Sequence, residues 1–414
     1  MARRQFIDLA IQHFQTYDHD AIKNAISPFI DMPIGIQIID DRIQDIIRDQ
    51  QVLHHLISMP KLEQRSPEWY AMRKNMITAS DLAQALGQGK FGTQKDLIIK
   101  KCGFKEEAPF QASLPPLKWG IKYEPLAIEM YKRRAKVDVH DFGLLPHPTI
   151  PFFGASPDGI NELGVMVEIK CPFKRKINGE IPMQYYYQMQ GQLDVCGLCD
   201  CDYLECEFVE YSNMDEFLAD CSVEDPRYTH DFKEKGVFIE YRKAFDSTPY
   251  YVYGPHVVSA DMYVQWVEAT TTELHSQQKV DAVYPTFWRL QTYMCQRVVK
   301  DAAFIEEKYK ELEIVWNKIQ MYKADRDLYD REIEGVGIQQ TKNISVKSKK
   351  QIGWYFQPDP TPVLDDAGSD IKEIITETPP PPGNAKKAKP PKVTMNISTS
   401  KFLNDGYAFK EVKE

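Results

Sequence analysis

The stretch GASPDGINELGVMVEIKCPFK, Gly154 to Lys174, sets a glutamate and a lysine inside an apolar run, ten positions after the aspartate of a Pro-Asp-Gly. Side chains alternate across a strand. GVMVEIK therefore places Val165, Val167 and Ile169 on one face and Met166, Glu168 and Lys170 on the other. The turn-forming residues of PDGINELG would join this strand to a preceding one, PFFGAS. Antiparallel pairing of the two brings Asp158 to the Glu168 end of its partner. Two carboxylates and one ammonium then form one cluster. Carboxylates so close repel unless a cation lies between them. Mg2+ is the natural cation for hard oxygen ligands, and metal, carboxylates and lysine are the parts that phosphodiester hydrolysis requires. The competing reading is a hairpin with a solvated polar face and an ordinary Glu–Lys pair.

The surrounding chain has 414 residues, enough for one large domain with additions or for two to three domains. Hydrophobic residues make up 43% and charged residues 27%, as in a chain with a real core. No apolar run approaches the ~20 residues of a membrane span. The start, MARRQFIDLAIQHFQTYDHD, lacks a continuous apolar stretch and a small-residue cleavage site, which speaks against a secretory signal. A soluble, intracellular protein is the expectation, with no membrane partner. The net charge of -9 argues against nucleic acid, but its distribution does not. Arg73 to Lys136 holds thirteen Lys/Arg against six Asp/Glu, whereas Cys201 to Tyr250 holds five against thirteen. A basic patch can bind phosphates while the acidic remainder keeps the molecule in solution.

Residues 1–60 read as a helical N-terminal extension, with Ile43, Ile46, Ile47, Leu53 and Leu56 near one face, for packing or oligomer contact. Residues 61–250 alternate helices with short strands and read as an α/β core. Residues 251–356 are expected to be a mainly helical addition. Its long amphipathic helix carries Ile305, Tyr309, Leu312, Trp316 and Ile319 at 4-3-4-3 spacing and is expected to dock on the domain. Residues 357–414 hold TPPPPGNAKKAKPPK and read as a Pro/Lys-rich linker and tail. Four of the eight cysteines crowd together as Cys196, Cys199, Cys201 and Cys206. That spacing suits a metal or simply a turn entering a strand; it lacks a nearby histidine, and C-x-C is poor for a zinc ribbon.

Pro-Asp-Gly followed by Glu-x-Lys resembles the PD-(D/E)XK nuclease signature. With QRSPEWYAMRKNMITASDLAQALG, LKWGIKYEPLAIEMY and YYYQMQGQLDVCG, found in the family's order, it resembles the lambda exonuclease and YqaJ-type viral recombinase family. The likeness covers roughly residues 62–211. It implies a restriction-endonuclease-like core, a mixed central sheet flanked by helices, with helical N- and C-terminal additions. It implies that Asp158 and Glu168 bind metal with the backbone carbonyl of Ile169, that Lys170 is the catalytic lysine, and that Glu124 reaches the metals from a helix. Helical spacing sets Glu124 with Ile121 and Ile128, although a surface glutamate beside Lys122 is its plain reading. Gln190 is the helix glutamine facing the site, with Gln188 as the fallback for the match. Arg73 and Ser80 match the pocket for a 5'-phosphate, and Ser156 fits it too. Ser80 also suits a helix cap. One of Lys174, Arg175 and Lys176 supplies a further cation. In this chain no carboxylate lies between Asp141 and Asp158, where family members carry one. A second metal would then rest on Glu124, His147 or water.

The resemblance implies a Mg2+-dependent 5'-to-3' deoxyribonuclease, with Mn2+ substituting, that digests duplex DNA from 5'-phosphorylated ends. It would leave 3' single strands for recombination or repair, working with a single-strand annealing protein and as a ring-like homotrimer. A virus- or phage-encoded protein acting in an infected cell is the corresponding expectation. Two alternatives stay open, a PD-(D/E)XK endonuclease of repair or restriction and a non-catalytic DNA-binding scaffold. The presence of Asp158, Glu168 and Lys170 together disfavours the scaffold.

Overall fold

The computed structural model describes residues 2–26, 36–62, 66–105, 114–244, 246, 248–255, 259–276 and 280–335. The tail expected over 357–414 lies outside the described residues. Three helices open the chain, α1 (Ala2–Phe14), α2 (His19–Ile26) and α3 (Ile36–Ser58). Their apolar faces bury Ile7, Ile22, Ile26, Ile39 and Ile46 against Leu163 and Val165 of the central stretch, and Leu53 and Leu56 enter the main core. Ile47, expected on that face, is 41% exposed; α3 rotates it outward between Ile43 and Leu53.

Buried ion pairs bolt these helices to the sheet. Arg42 pairs with Asp8 at 2.6 Å and with Asp200 at 2.7 Å. Arg297 pairs with Asp8 at 2.9 Å and Asp202 at 2.7 Å. The N-terminal segment is thus part of the packed body.

The chain continues through α4 (Pro67–Lys74), β1 (Ile77–Thr78), a 3-10 turn (Ala79–Asp81), α5 (Leu82–Ala85), α6 (Gln94–Cys102) and α7 (Pro115–Ala135). Short strands β2 (Val139–His140), β3 (Leu145–Pro146), β4 (Phe153–Ala155), β5 (Gly159–Asn161) and β6 (Met166–Lys170) precede α8 (Met183–Cys196). Then come β7 (Asp200–Glu210), α9 (Met214–Ala219), β8 (Lys235–Lys243), β9 (Tyr250–Tyr253), α10 (Ala260–Ser276), β10 (Val280–Val299), α11 (Ala302–Ala324) and α12 (Arg326–Glu332). A mixed sheet runs β2-β5-β6-β7-β10-β8-β9, with β6 and β7 parallel and helices packed against it. A smaller sheet runs β1-β4-β3. The architecture is the mixed sheet flanked by helices expected from the sequence.

Two local expectations are corrected. PFFGAS does not pair with VMVEIK: β4 lies in the small sheet, between β1 and β3. The partner of β6 is β5, inside the segment read as a turn, with Gly159 opposite Val167 and Ile160 opposite Met166. The real turn is shorter and later. Asn161 Oδ1 accepts from the amides of Leu163 and Val165, both at 3.0 Å, and Gly164 takes a left-handed φ of 74°. A side chain at Gly164 would also collide with the Asp49 backbone.

The second concerns the end of the core, expected at residue 250: the described residues beyond it are mainly helical, in α10, α11 and α12, but they also hold a central strand. β10 is a 20-residue strand at the heart of the sheet. Its C-terminal half pairs with β7 and its N-terminal half with β8, so the core extends to Val299. Polar and apolar residues mix on both of its faces and Pro285 lies inside the run, so no clean two-residue alternation marks the strand in the sequence. α11 then docks on the body as expected, burying Ile305, Leu312 and Ile319. The long amphipathic pattern is divided at Asp325, whose side chain caps α12 by accepting from the Leu328 amide at 2.9 Å.

Candidate active site

Asp158 immediately precedes β5, so continuing the β5–β6 register sets it opposite Glu168. The Ile169 amide donates to Asp158 Oδ2 at 2.7 Å. In a strand, the N–H and C=O of one residue face the same neighbour, so the Ile169 carbonyl also faces the Asp158 edge. Glu168 is fully buried. Its Oε1 accepts from Lys170 Nζ and its Oε2 from Gln192 Nε2 at 2.8 Å. Lys170 lies 4.9 Å from the ring centre of Tyr185 on α8. Asp158, Glu168 and Lys170 are one cluster, reached through β5 rather than β4.

Electrostatics define its character. Burial, and then the charges of Glu168 and Glu124, push the Asp158 carboxyl well above the ordinary range; Lys170 and the Ile169 amide pull the other way. Burial opposes charge on Lys170, but Glu168 and Asp158 outweigh it and hold the ammonium strongly protonated. Glu124 sits half-buried on α7, near enough for its charge to act on Asp158 and Cys171. Among the described residues, no three His, Cys, Asp or Glu side chains are arranged to hold a metal ion. The oxygens of Glu168 are engaged by Lys170 and Gln192. The chemistry of the donors nevertheless fits a hard divalent cation: three carboxylates and a carbonyl edge, with an excess of negative charge at Asp158 that a cation would relieve.

Gln190, expected to face the site, does not reach it. Its Nε2 donates to the Val299 carbonyl at 2.9 Å and its Oε1 accepts from the Asp301 amide at 2.7 Å. Gln192 does reach the cluster, bonding Glu168 and, at 3.3 Å, the Ser156 carbonyl. Residues two apart on a helix point in nearly opposite directions, so α8 can offer only one of them. His147 is likewise committed elsewhere. Its Nε2 bonds Asp194 at 3.0 Å while its Nδ1 accepts from the amides of Thr149 and Ile150.

A second cluster adjoins the first. Parallel pairing sets Thr78 beside Gly154, so Ser80 and Ser156, each two residues further, lie beyond the same end of the β1–β4 pair. Arg73 donates to Ser80 Oγ at 3.2 Å and Thr78 Oγ1 at 3.3 Å, and stacks 4.5 Å from the centre of the Trp69 ring. The Ser156 hydroxyl is buried with no hydrogen-bond partner among the described residues. Ser80 does not cap a helix; Thr78 does, in a reciprocal box with Asp81. Beneath them Lys101 is buried. Its Nζ bonds Asp81 and the Arg73 carbonyl, both at 2.8 Å. Burial works against the Asp81 charge, yet Lys101 and its basic neighbours hold that carboxyl far below its usual range.

The three downstream cations are placed differently. Lys174 lies 5.7 Å from the Phe173 ring centre, Arg175 pairs with buried Glu205, and Lys176 pairs with Glu207 at 2.9 Å. The four crowded cysteines do not converge. Cys196 ends α8, Cys199 accepts from Arg48 at 3.0 Å, and Cys201 and Cys206, five apart on β7, point to opposite faces. Thr78, Asp81, Lys101, Gln192 and Glu205 escaped the sequence reading. Only Gln192 left a signal there, as the third glutamine of QMQGQ.

The YqaJ-like viral recombinase domain matches residues 68–199. An uncharacterized protein of Acanthamoeba polyphaga mimivirus is 27% identical over 326 residues, which are 70% of this chain and 58% of the relative. A protein of African swine fever virus is 25% identical over 162 residues, 32% of this chain and 46% of the relative. The chain thus spans only about half the length of these viral relatives. A solved alkaline exonuclease from Laribacter hongkongensis superposes with a TM-score of 0.38 at 20% identity, covering 66% of this chain and all of the other. Among the described residues no helix is long and apolar enough to cross a membrane. Asp158, Glu168, Lys170, Arg73 and Ser80 all fall inside residues 68–199, the segment that is similar to the YqaJ-like viral recombinase domain.

Proposed function

We propose that the protein is a metal-dependent deoxyribonuclease that digests one strand of duplex DNA from a 5'-phosphorylated end, leaving 3' single strands for recombination or repair. The observation that carries this reading is the junction of two clusters: Asp158, Glu168 and Lys170 on one side, and Arg73, Ser80 and Ser156 on the other. The similarity of residues 68–199 to the YqaJ-like viral recombinase domain points the same way.

Asp158, Glu168 and Glu124 are the residues that would hold Mg2+, with Mn2+ as a substitute. When bound, such an ion offsets negative charge on the phosphate and acidifies water. The other roles belong to the protein. Lys170, kept protonated between two carboxylates, orients the attacking water and faces the charge that develops on the phosphate. Gln192 fixes the Glu168 carboxylate. Arg73 has further guanidinium donors besides those bonded to Thr78 and Ser80, and with the Ser80 and Ser156 hydroxyls it would grip a terminal phosphate. A single-strand annealing partner and a ring-like trimer belong to the same reading.

The test is digestion of linear duplex bearing 5'-phosphate or 5'-hydroxyl, with and without Mg2+, beside a closed circle. Metal-dependent loss of the phosphorylated linear substrate supports the proposal. Cleavage of the circle would favour an endonuclease. Equal rates on both ends would remove the phosphate-pocket role of Arg73, Ser80 and Ser156. DNA binding without hydrolysis, unaffected by Asp158→Ala, would favour a scaffold.

A further inference from the structure

The carboxylate of Glu205 is fully buried, although β7 could carry an apolar residue there. The β6–β7 register sets it directly beside Lys170, and parallel neighbours share a face. Its Oε1 accepts from the Tyr203 hydroxyl at 2.9 Å and from Arg175 Nη2. Its Oε2 is sealed from solvent with no hydrogen-bond partner among the described residues. A buried carboxylate left half-satisfied is expensive, and a well-packed apolar residue would often stabilise the strand more. Packing therefore does not explain the acid.

What it touches does. Arg175 follows Lys170 by five residues and is partly exposed, with 28% of its side chain open to solvent. Tyr185, whose ring Lys170 approaches, leans at 6.0 Å on Tyr203, the second donor to Glu205. Lys170, Tyr185, Tyr203, Glu205 and Arg175 thus form a continuous patch leading away from the Asp158–Glu168 pair. The neighbouring pair differs: Lys176, which meets Glu207, is 85% exposed and free to swing.

We infer that Glu205 is a positioning residue that anchors the Arg175 guanidinium by one edge, leaving its other donors fixed toward a DNA phosphate next to the one cleaved. This inference rests on the nuclease reading above. A planar guanidinium has five donors, so one edge can serve the carboxylate and the rest a phosphate. Prefixing the fork lowers the ordering cost when DNA arrives.

The experiment compares Glu205→Gln, Arg175→Gln, the double variant and Glu207→Gln by steady-state digestion of linear duplex and by salt-dependent DNA binding. Gln at 205 keeps the size and the oxygen that Tyr203 and Arg175 share but removes the charge that holds the guanidinium. Both single variants should raise KM for DNA ends about tenfold, the loss of one charge-assisted contact, with kcat little changed. Arg175→Gln should reduce the salt slope of binding by about one. The double variant should be no worse than Arg175→Gln, and Glu207→Gln should have a smaller effect. Wild-type KM in Glu205→Gln, or multiplying effects in the double variant, would overturn the inference while leaving the nuclease reading intact. If Glu205→Gln does not fold, Arg175→Gln still decides: an unchanged KM and salt slope rules the inference out. A wild-type protein that neither binds nor cuts DNA overturns both.

Discussion

Gln192 donates to Glu168 Oε2 at 2.8 Å, whereas Gln190, on the same helix, bonds the backbone of Val299 and Asp301. One glutamine serves the cluster and the other ties α8 to the segment entering α11. Gln192→Ala would leave a buried carboxylate oxygen unpaired, which costs about 1–3 kcal/mol. We expect it to lower DNA hydrolysis by about tenfold to a hundredfold, as loss of a supporting partner does at metal sites. Gln190→Ala should instead lower stability by about 1–3 kcal/mol with hydrolysis by the folded protein largely kept. Urea denaturation beside a digestion assay separates the two. Equal activity losses would refute the division of labour.

The raised pKa of Asp158 makes metal-free stability depend on pH in a definite sense. The folded carboxyl holds its proton to higher pH than the unfolded one, whose pKa is about 3.9. Between those two values the folded state binds more protons, so this group's contribution is complete below the unfolded pKa and lost as pH rises through the folded one. Added Mg2+ should therefore raise Tm more at neutral pH than at pH of about 5, where the carboxyl is more protonated. Asp158→Asn should raise the metal-free Tm at neutral pH and abolish most of the Mg2+ shift. Thermal melts across pH check both; a shift independent of pH in the wild type would count against Asp158 as a ligand.

Lys101 lies beneath Arg73 and Ser80, the pocket proposed for a terminal phosphate, and bonds Asp81 and the Arg73 carbonyl. Lys101→Met strands a buried Asp81 and should cost about 3–5 kcal/mol. Among molecules that still fold, discrimination between 5'-phosphate and 5'-hydroxyl ends should weaken, because the Arg73 backbone loses its anchor. The two readouts are a denaturant melt and the ratio of digestion rates; full discrimination in a destabilised variant would confine Lys101 to stability.

Arg297 joins α1 to the sheet through Asp8 and Asp202. Arg297→Met should destabilise by about 3–5 kcal/mol, since it takes the paired cation from buried Asp202 and one of two from Asp8. Removing residues 1–60 should fail to give a cooperatively folding remainder, for Asp200 and Asp202 would lose partners and Leu163 and Val165 their cover. Circular dichroism melts of the two proteins give the answer. A truncated chain with wild-type Tm would restore the view of an independent extension.

Local pattern alone determined a good deal of this protein. Alternation in GVMVEIK set Glu168 and Lys170 on one side of a strand, and the Pro-Asp-Gly spacing brought Asp158 within reach. These outcomes depend on the strand period, which a sequence carries explicitly. Arg73 and Ser80, paired by the family resemblance and not by periodicity, meet at 3.2 Å. Tertiary structure decided the rest. It made β5 rather than β4 the partner of β6, since strand pairing is a long-range choice that turn residues alone do not fix. It drew β10 into the centre of the sheet, a pairing with distant strands that no two-residue alternation in its own sequence announces. It chose Gln192 over Gln190, because which face of α8 meets the sheet depends on how the whole helix docks. And it buried Lys101 and Glu205 beside their partners, since the cost of burying a charge is set by what surrounds it, and the residues that surround these two come from distant parts of the chain.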